Sequence, residues 1–99
     1  MKEFNDLENA ISKKDIIEIL SVYSELLEGI VNDMEKVEVE DINKLMENIQ
    51  IKRNVYSAAE EFYNQIQKET EFDMLQQKYD KLKKIVEEYQ EYAKEIKNI

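Results

Sequence analysis

Hydrophobic residues recur at steps of three and four through the last thirty residues of the chain, from Thr70 to Ile99. These positions form the a/d heptad of an amphipathic α-helix, and Thr70 with Asp73 fits a capping box at its first turn. Ile85, Tyr92 and Ile99 add a third column at g, so the apolar face is wider than a two-stranded seam and predicts two neighbouring helices. The a and d positions are Phe72, Leu75, Tyr79, Leu82, Val86, Tyr89, Ala93 and Ile96.

A second pattern of helical period covers residues 12–36, behind a Ser12–Asp15 capping box. It carries two apolar stripes, one through Tyr23 and the other through Leu27. A helix with two stripes either packs between two partners or keeps one stripe for another molecule. The hydrophobic residues before Ser12 form either a short leading helix hinged near that serine or the first turns of one helix that runs through it.

The helical period breaks over residues 37–41 (VEVED), where we predict a tight connection between antiparallel helices. The next helix is predicted over about 40–69. Lys52 and Arg53 interrupt its main stripe. We expect the stems of these side chains to cover apolar surface while their charged heads reach water, and we do not expect them to bind a ligand. The main stripe consists of Ile42, Leu45, Ile49, Tyr56, Ala59, Tyr63 and Ile66, and a less regular second stripe consists of Met46, Ile51, Val55, Ala58 and Phe62.

The connection before the last helix is very short. It is either a sharp turn or no break at all, in which case residues 40–98 form a rod of about 87 Å that would have to dimerise. The Thr70 capping box favours the turn.

The chain has no proline and one glycine, which argues against strands joined by turns. We therefore predict a single all-α domain over residues 1–99: an antiparallel bundle of three long helices (about 12–36, 40–69 and 71–98), with or without a short leading helix.

The residue types that most enzymes depend on are missing. The sequence has no histidine and no cysteine, and its single glycine cannot form a phosphate-binding loop. Acid pairs at helical spacing, such as Glu25 with Glu28, are expected to face water, because most of these acids lie between the apolar stripes. Metal sites in bundles usually combine glutamate with histidine, which this chain does not contain. We predict no catalytic residue, no metal ligand and no cofactor, and therefore no enzymatic activity.

The charge of the chain is strongly negative and uneven. The net charge is −9, and residues 15–47 hold ten acids against two bases. Such a surface is a poor ligand for nucleic acid, because phosphate contacts need a basic face. No apolar run approaches the roughly 18 residues of a membrane span, and nothing resembles a signal peptide or a disulfide framework. A cytoplasmic protein is expected, and the excess of Ile, Asn and Lys suggests a bacterial or phage genome.

Residues 16–63 resemble flagellar type III export chaperones of the FlgN/FliT kind. The resemblance lies in the segments ILSVYSELLEGIVNDME, VEVEDINKLMENI and IQIKRNVY. Those chaperones are small acidic helical bundles that hold a secreted structural subunit by its terminal helix. The resemblance implies a cytoplasmic chaperone or adaptor that binds an amphipathic helix of its partner in an apolar groove. The expected groove residues lie on the last helix: Phe72, Met74, Ile85, Tyr92 and Ile99.

Two other functions remain open. The acidic stretch 15–47 could occupy a basic, nucleic-acid-binding cleft, as a phage-encoded or antitoxin-like inhibitor does. The heptad could instead form a structural coiled-coil homodimer. Binding through charge weakens as salt rises, whereas binding through an apolar groove does not. An extended dimer would be recognised from its sedimentation.

Overall fold

A computed structural model describes residues 2–68 and 72–97, and over these residues the protein contains four α-helices and no β-strand. The all-α prediction is confirmed, although a separate short helix precedes the three long ones. The helices are α1 (Phe4–Lys13), α2 (Ile16–Glu35), α3 (Ile42–Ile66) and α4 (Phe72–Lys97).

The helical conformation is interrupted between α1 and α2 at Lys14, whose backbone is left-handed with φ 56°. Its N–H donates to the carbonyl of Ile11 at 3.0 Å, and this bond closes α1. Asp15 then begins α2, because its Oδ1 accepts the N–H groups of Ile17 and Glu18 at 3.1 and 3.2 Å. A left-handed residue followed at once by an aspartate cap makes a sharp reversal between two helices.

The predicted start of the second helix at Ser12 is wrong. Ser12 lies inside α1, where its hydroxyl donates to the carbonyl of Glu8 at 3.1 Å. Asp15 is the cap itself, whereas the predicted box used it as the third helical residue. The reason is that Lys14 leaves the helical conformation, so a helix through residues 12–16 cannot form.

The hydrophobic core lies between the four helices, and α1 contributes Leu7, Ala10 and Ile11 to it. On α4 the buried side chains follow the predicted heptad, and on α2 they follow the stripe through Tyr23. The other buried hydrophobic residues are Ile19, Val22, Tyr23, Leu26, Ile30, Met34, Val37, Val55, Ala58, Ala59, Phe62, Ile66, Leu75, Tyr79, Leu82, Val86, Tyr89 and Tyr92.

Two buried tyrosines fasten the helices to one another. The Tyr23 hydroxyl donates to the carbonyl of Ala59 at 2.8 Å, and its ring stacks on Phe62 with centroids 5.0 Å apart. The Tyr79 hydroxyl donates to the carbonyl of Phe4 at 3.0 Å. Burial raises the pKa of Tyr23 and of Tyr79 to about 12. These contacts tie α2 to α3 and α1 to α4.

Helices α3 and α4 are antiparallel neighbours. The hydroxyl of Tyr92, late in α4, donates to the carbonyl of Lys44 at the start of α3 at 3.0 Å. Near the opposite ends, the Lys81 ammonium lies 2.6 Å from the Glu61 carboxylate. The longest dimension of the molecule is 45 Å, well short of the continuous rod, so the chain turns between these helices. Thr70, the predicted cap of α4, lies outside the described residues.

The connection between α2 and α3 is extended and then capped. Val37 is buried and Val39 is half-buried, whereas Glu38 and Glu40 are exposed, which is the alternation of an extended chain. Asp41 accepts the N–H of Asn43 at 2.9 Å and so begins α3. None of the described helices is long and apolar enough to cross a membrane.

Candidate protein-binding surface

Over the residues that the structure describes, the column predicted to be exposed on α4 is not an exposed surface. Tyr92 is 7% exposed, and its hydroxyl is committed to Lys44. Ile85 is half-buried against the core. The prediction of an open face is therefore wrong for Tyr92, because α3 packs over that side of α4 and needs the tyrosine ring to fill the interface.

The remaining predicted residues do not form one site. Phe72 is half-buried, with the Lys14 ammonium 5.8 Å from its ring centroid, and Met74 is 38% exposed. Both lie at the start of α4, about 30 Å along the helix from Tyr92 at 1.5 Å per residue. Ile99 lies outside the described residues. The structure therefore does not bring the predicted residues together.

The exposed hydrophobic surface lies on α3 instead. Ile42 is 71% exposed and Met46 is 68% exposed, and the four residues nearest the start of the helix follow the i, i+3, i+4, i+7 spacing of one face. Isolated exposed hydrophobic residues are ordinary, but a contiguous run marks an interaction surface. We call this surface the outer face of α3, and it consists of Ile42, Leu45, Met46, Ile49, Tyr56 and Tyr63.

In the first half of α3, most hydrophobic side chains are exposed and a polar side chain is buried. In residues 42–54, all of which the structure describes, no hydrophobic side chain is fully buried. The buried side chain there is Asn48, whose Oδ1 has no hydrogen-bond partner. Ile51 and Lys52 are half-buried. Burying an amide oxygen without a partner while exposing isoleucines is unfavourable in water, so this outer face is the candidate binding surface.

The outer face of α3 borders α2. The ring of Tyr63 stacks with that of Tyr23 at a centroid distance of 6.4 Å, and Tyr56 lies two turns earlier on the same side of α3. The second apolar stripe of α2, which includes Leu27 and Val31, is half-buried. The outer face and this stripe are apolar surfaces on two neighbouring antiparallel helices, which is the setting in which a third helix packs.

The seam under the first half of α3 is rich in tyrosine and polar groups. The rings of Tyr89 and Tyr92 lie 6.4 Å apart, and the buried Tyr89 hydroxyl has no hydrogen-bond partner. Burial raises the pKa of both tyrosines. Polar groups that lack partners make this seam weaker than an apolar one. In the second half of α3, the buried Nε2 of Gln65 also lacks a partner, but hydrophobic side chains such as Phe62 fill most of that interface.

Two other places were candidates for chemistry. In residues 2–68 and 72–97, no group of three or more acidic side chains is placed to hold a metal ion. A groove of about 480 Å³ opens at the start of α1, between α2 and α4. Lys2, Lys83, Asp33 and Glu87 are among the residues that line it, and these charges of both signs select no class of ligand.

The sequence showed two apolar stripes on α3 without indicating which residues are buried, so the outer face of α3 was not singled out. The buried side chains come from both stripes: Val55, Ala58 and Phe62 from the less regular stripe, and Ala59 and Ile66 from the main stripe. A signal was present, because Lys52 and Arg53 interrupt the main stripe. Charged residues in the middle of a stripe are typical of a surface that is not closed inside the protein.

Comparison with known proteins adds no relative. No protein-family model matches the chain, and neither the curated proteins nor the solved structures give a match. The resemblance in residues 16–63 therefore stays a prediction. The functional argument rests on the geometry of the outer face of α3 and on the charges around it.

Proposed function

We propose that this protein is a non-catalytic protein-binding module, a chaperone or adaptor that holds an amphipathic helix of another protein on the outer face of α3. The observation that carries the proposal is the reversed first half of α3, with Ile42 and Met46 exposed and Asn48 buried. Helix-in-groove recognition uses apolar anchors at this helical spacing. A bound helix would remove the exposed isoleucines from water.

The class of partner follows from the resemblance in residues 16–63. We propose a secreted, flagellar-type structural subunit that is held in the cytoplasm by one of its helices before export. The binding residues differ from those first expected, because Tyr92 is enclosed between α3 and α4. A non-catalytic role agrees with a sequence that contains no histidine and no cysteine.

Site-specific photocrosslinking tests this function. A photoreactive phenylalanine placed at Met46 should form an adduct, in the cells that express the protein, with a peptide that has apolar residues at helical spacing. The matched control has the same photoreactive residue at Met74, which is exposed on α4, and should give no adduct. Adducts from Met74 but not Met46 would return the binding surface to α4. Adducts with a second copy of this chain would show a homodimer.

An acidic inhibitor remains a second candidate, because acids from Glu25 to Glu47 make no ion pair within the described residues. In that function the target would be a basic nucleic-acid-binding cleft, and the outer face of α3 would have no part. Substituting Met46 by Glu would then leave binding unchanged, whereas raising the salt would abolish it.

A further inference from the structure

We infer that the helix held on the outer face of α3 is basic, with lysine or arginine side chains flanking its apolar stripe. This inference rests on the proposed function and names the chemistry of the partner. It is drawn from the charged side chains that surround the outer face, from the absence of ion pairs among its acids, and from the net charge of the whole chain.

Acidic side chains stand at the end of the surface where the exposed isoleucines begin. Glu38, Glu40 and Asp41 directly precede Ile42, and all three are exposed. None of them makes an ion pair within the described residues. Three carboxylates within four residues, of which that of Asp41 also caps α3, next to an exposed apolar face favour cations at the corresponding end of the partner helix.

The α2 edge of the surface is acidic as well. Glu28 and Glu35 are three residues before and four residues after Val31, so they share its side of α2, and both are exposed. On α3, Glu60 is exposed four residues after Tyr56. By helical spacing Glu60 shares the side of α3 that carries Tyr56 and Tyr63, so these carboxylates lie beside the apolar residues.

The basic side chains near the surface are fewer. Arg53 is exposed and Lys52 is half-buried in the middle of α3, and Lys36 ends α2. Lys44 belongs to the α4 side of α3, where its carbonyl accepts the hydroxyl of Tyr92. The surface therefore keeps a negative excess, concentrated at the end near Ile42. Arg53 leaves room for one acidic residue near the middle of the partner helix.

The net charge argues against a second copy of this chain as the occupant. Each chain carries −9, and pairing two outer faces would bring two sets of unpaired carboxylates together. Like charges in an interface cost free energy and slow association. The same repulsion acts against anionic lipid and nucleic acid. A basic helix gains binding free energy both from the apolar contact and from attraction to the negative charge around the outer face of α3.

The length of the partner segment follows from the part of the outer face that precedes the Tyr23–Tyr63 contact with α2. Over that part, Ile42 and Tyr56 are separated by about 21 Å along α3, at 1.5 Å per residue. A helix of about 14 to 18 residues covers that span. Its apolar residues would follow the i, i+3, i+4, i+7 spacing, because that spacing forms one face of a helix.

The test uses three synthetic peptides of about 18 residues and titration calorimetry. The first has a leucine stripe flanked by lysines, the second has the same stripe flanked by glutamates, and the third is a scrambled version of the first without a stripe. Each is titrated into the full chain at about 50 mM and about 500 mM salt. Met46→Glu tests the surface, and Met74→Glu is the matched control, because it makes the same change on α4.

We expect the basic amphipathic peptide to bind at least about tenfold more tightly than either other peptide. Met46→Glu should weaken that binding about tenfold or more, and Met74→Glu should leave it unchanged. Raised salt should reduce affinity without abolishing it, because the apolar contact persists.

The possible failures are distinguishable. Equal binding of the basic and acidic amphipathic peptides, both sensitive to Met46→Glu, would overturn the charge inference and leave the proposed function standing. Equal binding of the basic and scrambled peptides would overturn both, because attraction would then need no apolar face. Binding of neither amphipathic peptide would also overturn both. A homodimer dissociated by Met46→Glu would identify a second copy as the occupant and overturn the inference.

Discussion

The two halves of α3 differ in what they bury. From Val55 onward the inward side chains are hydrophobic except Gln65, whose buried Nε2 has no hydrogen-bond partner, and Phe62 is fully buried under the ring of Tyr23. From Ile42 to Asn54 the buried side chain is Asn48, Ile51 is half-buried against the core, and the other hydrophobic residues are exposed. One continuous helix thus changes from core element to exposed surface about halfway along its length.

The difference follows from which neighbours each half has. The second half lies between α2 and α4, joined to α2 by the Tyr23–Ala59 hydrogen bond and to α4 by the Glu61–Lys81 ion pair. The first half is fixed to α4 by the hydrogen bond between Tyr92 and Lys44. A helix packed on both sides has its orientation set by the core, and this orientation then carries into the half that is packed less completely. The outer face of α3 is exposed for that reason.

The largest expected difference between the two halves is in the free energy of unfolding of Phe62→Ala compared with that of Met46→Ala. Phe62→Ala should lower the free energy of unfolding by about 3–5 kcal/mol, because it opens a cavity in a closed core. Met46→Ala should change it by less than about 0.5 kcal/mol, because the side chain is already in water. Chemical denaturation followed by circular dichroism measures both. Equal losses would mean that both halves of α3 are packed alike.

Alkaline titration tests the tie between α2 and the second half of α3. Tyrosines of the unfolded chain ionise near pH 10, whereas Tyr23 and Tyr79 have pKa values of about 12 in the fold. Because the folded state holds these protons more tightly, the stabilisation is fully present below about pH 10 and is lost as the pH rises toward 12. The loss should be about 2 kcal/mol for each buried phenol.

Tyr23→Phe separates the contribution of the Tyr23 hydroxyl to the alkaline loss from that of Tyr79. At neutral pH it should cost about 1 kcal/mol, through the hydrogen bond to Ala59, and the alkaline loss should become smaller than in the parent chain. Tyr56→Phe, on the exposed outer face, should leave stability at neutral pH unchanged. An unaltered alkaline loss in Tyr23→Phe would place the responsible group elsewhere.

The smallest effect concerns the polar inner side of the first half. Asn48→Leu should raise the free energy of unfolding by about 1 kcal/mol, because a leucine of similar volume removes the buried oxygen that has no partner. Asn54→Leu is the matched control at an exposed position and should give no gain. Destabilisation by Asn48→Leu would show that the amide makes a necessary contact and would remove the contrast between the two halves.

Much of the architecture could be predicted from the spacing of hydrophobic residues. The heptad residues of α4 from Leu75 to Tyr89 are buried as expected, whereas the connection at 37–41, predicted to be tight, is an extended chain with alternating valines. The predicted start of α2 at Ser12 was less accurate, because the left-handed residue that separates α1 from α2 is a lysine, Lys14, and not the glycine that usually indicates such a position. The candidate surface was predicted on α4, since Tyr92 fits an exposed column by spacing alone, whereas in the structure Tyr92 is buried.

The sequence by itself determined that this protein is helical, where its main helices run and that it carries more apolar stripes than one narrow core requires. Periodicity defines the faces of a helix but does not say which face turns inward when two have similar hydrophobic content. Only the tertiary structure decided that choice on α3. The stacking of Phe62 on Tyr23 and the burial of Val55 fix the rotation of the helix, and that rotation places Ile42 and Met46 in water.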